Sequence, residues 1–244
     1  MTLRHEAMSR SPKRPAARRP RRPRIRPADL IYERIVSAIF EHRLAPGTKL
    51  VEDRLVEIFG ANRNRIRSVL ARLAHEQLVR LEPNRGAFVA APSPREAREI
   101  FESRRLVEPG VVRRLIETID RGGIEQLRAR VRDEAKARAD NDRPAIIRMS
   151  GEFHIALAQL AGNNFLTKMM RELASLTCLI IFLYDSPSIP SCHGDEHAEI
   201  TEAIARKDTE RAVQLMLHHL DHVESSLTLQ DERPVGFDLE HAFA

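Results

Sequence analysis

The sequence predicts a mainly α-helical protein made of two dissimilar parts. Apolar residues recur at helical spacing over most of the 244 residues, whereas two short β-prone stretches lie between residues 78 and 90. The charge changes at the same place. Residues 28–92 hold ten Lys or Arg and eight Asp or Glu, while residues 93–244 hold twenty and twenty-six. We therefore expect a small basic domain at 28–92, an acidic all-helical domain at 93–230 and a C-terminal tail at 231–244.

Composition excludes several classes of protein. With 42% hydrophobic and 31% charged residues, the chain is an ordinary globular sequence. Its two cysteines are too few for a disulfide scaffold or for a zinc site built on cysteine pairs. No apolar run is long enough to span a membrane, and the first residues lack the apolar segment of a signal peptide. The expectation is a cytoplasmic protein with no membrane partner.

Residues 1–27 differ from the rest of the chain. They hold ten Lys or Arg and one Glu, and closely spaced prolines interrupt any helix. This pattern predicts a disordered basic arm that contacts DNA phosphates without reading sequence. A solvated tail without a role is the alternative.

The domain at 28–92 is predicted as three helices followed by a hairpin. The first helix starts with Asp29 as its N-cap and ends before the turn Leu44-Ala45-Pro46-Gly47. The second runs from Glu52 to Phe59, and the third from the cap Asn62 to about residue 76. Stretches 78–81 and 87–90 then form a hairpin, the wing. This order of elements is that of a winged helix-turn-helix.

The third helix has the pattern of a DNA-recognition helix. Its first turns contain the hydrogen-bonding residues Asn62, Arg63, Asn64, Arg65 and Arg67. Arginine can donate two bonds to guanine and asparagine can bridge adenine in the major groove. Three arginines at a helix N-terminus oppose the helix dipole, which favours a DNA-binding role over a stabilising one. A merely solvated face is the alternative.

Three further residues are candidates for DNA contact. Arg54 lies on the second helix, and Arg85 and Gly86 lie at the tip of the wing, where they suit the DNA backbone or the minor groove.

Residues 29–90 resemble the winged helix of the GntR family of bacterial transcription regulators. The matching segments are Leu44-Ala45-Pro46-Gly47-Thr48-Lys49-Leu50, residues 60–73, and Asn84-Arg85-Gly86-Ala87-Phe88-Val89. The resemblance implies a double-stranded DNA operator as partner and places Arg63 and Arg67 on the family's operator-contacting arginines. Asn64 and Arg65 stand where the family often has Thr-Pro, so an altered operator sequence is expected.

The domain at 93–230 is predicted as an antiparallel bundle. Helical patterns cover residues 94–119, 123–140, 142–161, 163–184, 194–206 and 208–229, with a loop at 186–190. Such a bundle has room for an internal site. His154, His197 and His219 lie on three of these helices, and three imidazoles can converge on one transition metal. A histidine on an apolar helix face is more often a hydrogen-bonded core residue, which is the alternative.

This half is similar to the FCD effector domain of the FadR subfamily. The similarity lies in Arg104-Arg105-Leu106-Val107-Glu108, Ser150-Gly151-Glu152-Phe153-His154 with Gly162-Asn163, Glu196-His197 with Asp208, and Met216-Leu217-His218-His219-Leu220. It implies that His154, His197 and His219 bind a divalent metal of the zinc or nickel class. Ser150 replaces the family's usual Asp, so water or an effector would complete the ligand set.

The resemblance also implies a small organic acid as effector. Arg104 is the candidate for binding its carboxylate bidentately, with Ser150 and Asn163 as further effector-binding residues. A buried salt bridge between Arg104 and Glu108 is the compatible structural alternative.

The leading hypothesis is a homodimeric transcription regulator that binds a near-palindromic operator and is controlled by its effector. Two other hypotheses stay open at this point. One is a metal-dependent hydrolase, which needs a general base that Ser150 does not supply. The other is a constitutive DNA-binding protein with a degenerate pocket.

Overall fold

A computed structural model describes residues 27–41, 43–185 and 195–229. Residues 1–26, the loop at 186–190 and the tail at 231–244 lie outside the described residues, so the expectations for them stay predictions. Among the described helices, none combines the length and the apolar character that a membrane crossing requires.

The N-terminal part has the order helix, strand, helix, helix, hairpin. Its elements are α1 (Pro27–Phe40), β1 (Lys49–Leu50), α2 (Glu52–Phe59), α3 (Arg63–His75), β2 (Val79–Glu82) and β3 (Gly86–Val89). The expected winged helix-turn-helix is therefore confirmed. Asp29, the expected N-cap, lies instead in the first turn of α1. Helix α1 already begins at Pro27, whose fixed φ angle suits a first helical position.

The wing is a three-stranded antiparallel sheet rather than a bare hairpin. Its strand order is β1-β3-β2, with Lys49 opposite Phe88 and Val79 opposite Val89. The two-residue strand β1 was missed because so short a segment carries no alternating pattern. It pairs with β3 and thereby ties the wing to the segment before α2.

Local signals fix the start of α3. Gly60 ends α2 in the left-handed conformation, with φ of 56°. Asn62 then accepts a hydrogen bond through Oδ1 from the backbone N–H of Arg65 at 2.9 Å. These two residues set the direction in which the first turn of α3 projects.

The C-terminal part is an all-helical bundle, as the sequence predicted. Its helices are α4 (Pro94–Thr118), α5 (Arg121–Ala139), α6 (Arg143–Leu160), α7 (Asn164–Tyr184), α8 (Glu196–Ala205) and α9 (Thr209–Ser225). Every predicted boundary lies within a few residues of the observed one, because polar caps and turn residues separate the helices.

One hydrophobic core joins the two parts. Residues of α1 such as Ile35 and Phe40 belong to the same buried cluster as Phe101 of α4 and Leu179 of α7. A second cluster, which contains Phe153, fills the other end of the bundle. Helix α1 therefore packs on the bundle as well as on α3.

The linker between the two parts ends in a complete capping box. The Ser93 hydroxyl accepts from the N–H of Glu96, while the Ser93 N–H donates to Glu96 Oε2 at 2.7 Å.

Replacement of this cap should weaken the protein. We expect Ser93→Ala to lower the free energy of unfolding by about 1 kcal/mol, since one backbone donor of α4 loses its partner. Ser103→Ala is the matched control, because the Ser103 hydroxyl only donates to a carbonyl of its own helix. Urea unfolding followed by circular dichroism measures both. An equal loss in the two variants would contradict a special role of the cap.

Candidate functional site

The first turns of α3 present a polar, exposed face. Arg63, Asn64 and Arg67 are exposed, while Ile66 and Leu70 on the opposite face are buried in the core. A rigid helix that is anchored on one side and offers arginines on the other can enter a major groove.

Carboxylates of α2 form ion pairs with Arg63 and Arg67, the two arginines that are expected to contact operator bases. Arg67 Nε donates to both oxygens of Glu52, at 2.8 and 3.1 Å. Arg63 Nη2 lies 2.5 Å from Asp53 Oδ1. Exposed pairs of this kind add little to stability, but they orient both guanidinium groups along α3.

Other sequence-predicted DNA residues have different surroundings. Asn62 caps α3 through its side-chain oxygen, so its first role is structural. Arg65 is partly buried and lies about half a helical turn away from Arg63 and Arg67. Arg54 pairs with Glu57 on α2 at 3.0 Å.

The tip of the wing is formed by the turn between β2 and β3. Gly86 has φ of 101°, a conformation that side-chain-bearing residues rarely adopt, so glycine is required there for backbone reasons. Arg85 is exposed and pairs with Glu82 at 2.5 Å.

The bundle brings the three expected histidines together. His154 of α6, His197 of α8 and His219 of α9 are all buried. The Nε2 atom of His219 lies 3.2 Å from that of His154 and 3.3 Å from that of His197. Two nitrogens bound to zinc at tetrahedral angles lie about 3.4 Å apart, so the spacing fits a shared metal ion.

A carboxylate holds each imidazole from behind. His154 Nδ1 contacts Glu108, His197 Nδ1 contacts Glu134, and His219 Nδ1 contacts Glu196, each at 2.7 Å. Each carboxylate has a second partner: Arg104 binds Glu108 at 2.6 Å, Arg138 binds Glu134 at 2.6 Å, and His222 binds Glu196 at 2.7 Å. Such outer partners fix ring orientation in metal sites.

The environment sets the protonation of this cluster. Burial lowers the pKa of His154 to about 4 and that of His219 to about 3. Burial alone would raise the pKa of Glu108, but the charge of Arg104 and the hydrogen bonds from His154 and Arg104 more than offset it and lower the pKa to about 2. Near neutral pH, the neutral imidazoles of His154 and His219 therefore donate their Nδ1 protons to the ionised carboxylates of Glu108 and Glu196.

The donor set fits a divalent metal. With the Nδ1 protons of His154 and His219 committed to carboxylates, the Nε2 lone pairs of these two rings face each other at 3.2 Å, and His197 Nε2 lies 3.3 Å from His219 Nε2. A cation between them turns this repulsion into coordination. The three side chains also form a potential metal-binding group in the part of the chain that the structure describes.

A small cavity lies beside the cluster. Its volume is about 20 Å³, and its polar lining comes from Arg104, Ser150, His154, Thr177 and His219. This volume holds about one water molecule and leaves no room for an organic acid. Ser150 thus lies next to the histidines, as expected.

Arg104 is only partly satisfied. It is buried, its Nε donates to Glu108 and its Nη1 donates to Thr177 Oγ1 at 3.2 Å. Nη2 has no hydrogen-bond partner within the described residues. The salt-bridge alternative for Arg104 is therefore present, and one donor remains available for a ligand.

Asn163 is placed elsewhere. It caps α7, with Oδ1 accepting from the N–H groups of Phe165 and Leu166, and it does not line the small cavity. Its expected effector contact is not supported by this position, because its side-chain oxygen already serves the helix terminus.

The carboxylates behind the histidines were missed by the sequence argument. Glu134 carries a usable signal, since it follows Leu127 by seven residues and precedes Ala137 by three on the buried face of α5. A charged residue on an apolar helix face indicates a buried polar network.

A winged helix-turn-helix joined to a helical bundle with an internal polar site defines a DNA-binding regulator with a sensing domain. Family models agree: that of bacterial regulatory proteins of the gntR family matches residues 27–89, and that of the FCD domain matches residues 99–222. The chain belongs to the GntR family and carries an FCD domain.

Relatives and solved structures are consistent with this assignment. The chain is 24% identical over 198 residues to the HTH-type transcriptional repressor RspR of Escherichia coli K12, covering 81% of this chain and 87% of the relative. It is 25% identical to the HTH-type transcriptional regulator YdhC of Bacillus subtilis strain 168, covering 78% and 86%. A GntR transcriptional regulator from Rhodococcus sp. RHA1 is 26% identical, with a TM-score of 0.69 and coverage of 81% and 95%.

The fold is also that of Escherichia coli McbR/YncC, with a TM-score of 0.71 at 18% identity and coverage of 81% and 95%. The family and these relatives are transcription regulators rather than enzymes, so the hydrolase hypothesis is not favoured.

The histidine cluster leads to a prediction for metal binding. We expect the purified protein to bind one zinc or nickel ion per chain and His197→Ala to lose it. Glu134→Gln should weaken binding about 10- to 100-fold, because His197 loses its anchoring carboxylate. Equilibrium dialysis with elemental analysis measures this.

The control is Glu125→Gln, which changes an exposed carboxylate on the same helix that pairs with Arg128. Equal metal content in His197→Ala and the unmodified protein would contradict the assignment of the site.

Proposed function

We propose that this transcription regulator binds a near-palindromic operator as a homodimer and that a small carboxylate in the helical domain changes its operator affinity. The observation that carries the proposal is the wall of the internal cavity. Its residues Ile147, Cys178, Ile181 and Val223 belong to the hydrophobic core that also holds α1 of the DNA-reading domain.

Operator reading is assigned to the exposed face of α3. Arg63 and Arg67 are the proposed base-reading residues, with Asn64 beside them and Arg85 on the wing for the DNA backbone. DNA phosphates or bases must displace the carboxylates of Glu52 and Asp53 before the two arginines can bind DNA. Nonspecific DNA binding therefore competes with these two ion pairs. A bacterial regulator of this kind acts in the cytoplasm, where the DNA is.

A divalent metal is assigned to His154, His197 and His219. When bound, it would supply a positive charge that attracts a carboxylate at an open coordination position. The chain's own residues orient that carboxylate: Arg104 offers Nη2, and Ser150 offers a hydroxyl from one turn before His154. Because Ser150 is neutral, the positive charge of a bound metal would not be offset by a carboxylate at this position, which favours an acidic ligand.

The effector must open the cavity before it can bind. An organic acid does not fit into about 20 Å³, so the helices that line the cavity have to separate. These include α6 and α7, and both pack against α1. Differential affinity for the open and closed arrangements is what couples the effector to the DNA-reading domain.

Gly151 of α6 lies close to the Phe40 ring of α1. A methyl group added at Gly151 would lie 3.9 Å from the Phe40 ring and 3.0 Å from Cys178 Sγ. Gly151 lines the cavity, and Phe40 is the last residue of α1. A shift of α6 therefore reaches α1 without an intermediate residue.

Removal of a reading arginine should weaken specific binding. Arg67→Ala should cost about 1–3 kcal/mol of operator affinity and less of the affinity for random DNA, since a base contact is lost. Arg95→Ala is the control, because it removes an equal charge from α4. Fluorescence anisotropy with the protein's own promoter DNA at about 0.15 M salt measures both. Equal losses for promoter and random DNA would contradict base reading by Arg67.

The effector prediction concerns Arg104. In a thermal-shift screen of lactate, malate, citrate and related acids, we expect at least one acid to raise the Tm and change operator affinity. Arg104→Lys keeps the charge beside Glu108 but loses Nη2, so it should weaken this acid at least about tenfold.

Arg105→Lys is the matched control, since Arg105 pairs with Glu224 of α9 and does not line the cavity. Unchanged operator affinity with every acid would favour the constitutive DNA-binding hypothesis instead.

A further inference from the structure

The surface of the bundle carries a negatively charged groove between α8 and α9. Apart from Leu215 and Ser225, the described residues that line it are carboxylates and histidines: Asp195, Glu196, Glu199, His218, Asp221 and His222. Within the described part of the chain, no Lys or Arg lines this groove. A groove lined by one sign of charge concentrates ions of the opposite sign, so this one attracts cations.

Nearby arginines neutralise only part of this charge. Asp221 lies 3.4 Å from Arg105, and Glu199 lies 3.8 Å from Arg211. Asp195 is exposed and precedes α8 without capping it through its side chain, so its carboxylate is available to a ligand. Carboxylates alone would suit any cation, and the histidines of the groove therefore decide which cation it binds.

Two histidines of α9 have the spacing of a metal-binding pair. His218 and His222 are four residues apart, so they lie on one side of the helix. Two histidines at this spacing on a helix can bind one zinc ion. Their ring centroids are 6.4 Å apart, whereas two imidazoles on one zinc ion have centroids about 5 Å apart. Because His218 is exposed, a rotation of its side chain can close this difference.

The groove lies directly outside the buried histidine cluster. Glu196 lines the groove and contacts histidines on both sides, with Oε1 near His222 Nδ1 and Oε2 near His219 Nδ1, each at 2.7 Å. One carboxylate therefore separates the groove from the cluster. His154, His197 and His219 are at most 3% exposed, so an ion from water needs an entry path to reach them.

We infer that His218 and His222, together with Asp195 and Asp221, bind a divalent transition-metal ion at the surface and that this groove is the entry to the buried histidines. Imidazole ligands favour zinc and nickel over magnesium and calcium. The surface ion is held more weakly than the buried one, because it has fewer imidazole ligands and stays in contact with water. The inference rests on the metal binding in the proposed function and names the route by which the ion arrives.

The first test measures the surface ion in a chain without the buried site. In equilibrium dialysis above the zinc concentration that fills the buried site of the unmodified protein, His197→Ala should still bind one zinc ion. Adding His218→Ala should weaken this binding at least about tenfold, since even the loss of an outer partner costs about that much in metal sites.

The matched control adds His75→Ala to His197→Ala instead, because His75 is exposed on α3 and does not line the groove. If His197→Ala binds no zinc, or if the two double variants bind it equally, the inference is wrong.

The second test follows how fast the buried site fills. Stopped-flow mixing of the metal-free protein with zinc and a chromophoric zinc indicator measures this rate. His218→Ala should lower the rate at least about tenfold, the lower end of the range by which a charged cleft raises association rates. The equilibrium affinity of the buried site should not change, whereas a variant that disturbed the fold would lower it as well. Equal filling rates in His218→Ala and His75→Ala would overturn the entry role.

DNA binding separates failure of this inference from failure of the proposed function, since neither test involves DNA or an organic acid. If zinc fills the buried site through the groove yet the protein binds no promoter DNA, the proposed function fails and the inference stands. If the protein binds promoter DNA but fills its buried site at a rate independent of His218, the inference fails and the proposed function stands.

Discussion

The helical domain depends on one electrostatic constraint: the Nε2 atoms of the buried His154 and His197 both lie within 3.3 Å of His219 Nε2. Five of its six helices supply a histidine or an anchoring carboxylate, with Glu108 on α4, Glu134 on α5, His154 on α6, Glu196 and His197 on α8, and His219 on α9. Satisfying this cluster therefore requires most of the bundle to be assembled. A cation that binds between the rings stabilises the folded arrangement over the unfolded chain, so metal affinity and folding are linked.

The same helices explain how two domains can respond to one ligand. The cavity beside the histidines is small, and its apolar wall is part of the core that fixes α1. Close-packed cores switch between discrete arrangements rather than deforming gradually. A ligand that opened the cavity would thus repack the core around α1, the helix against which α3 packs.

Much of this architecture could be predicted from the sequence, because periodicity and caps are local signals. Asn62, Gly60 and the Pro-Gly turn define the winged helix. The meeting of the three histidines was expected from the similarity to the FCD domain rather than from spacing, and the structure brings them together. The short strand β1 and the role of Asn163 could not be found in this way. Both depend on contacts that form only in the folded chain. Lys49 pairs with strand β3, and the Asn163 side chain caps helix α7.

The carboxylates behind the histidines were also only partly predictable from the sequence. Glu108 and Glu196 stand in recognisable motifs, yet only the fold shows that each faces a particular Nδ1 atom. The size of the cavity is likewise a property of packing, since its volume is only about 20 Å³ although residues as small as Gly151 and Ala174 line it.

Cys178 lies in the cavity wall, and its burial affects its reactivity. Its thiol is fully buried in the cavity wall, and burial raises its pKa to about 12. The protonated, shielded sulfur is protected from alkylation and oxidation for as long as α6 and α7 stay together. The rate at which Cys178 reacts with a thiol reagent would therefore measure how often α6 and α7 separate. This measurement needs neither DNA nor ligand.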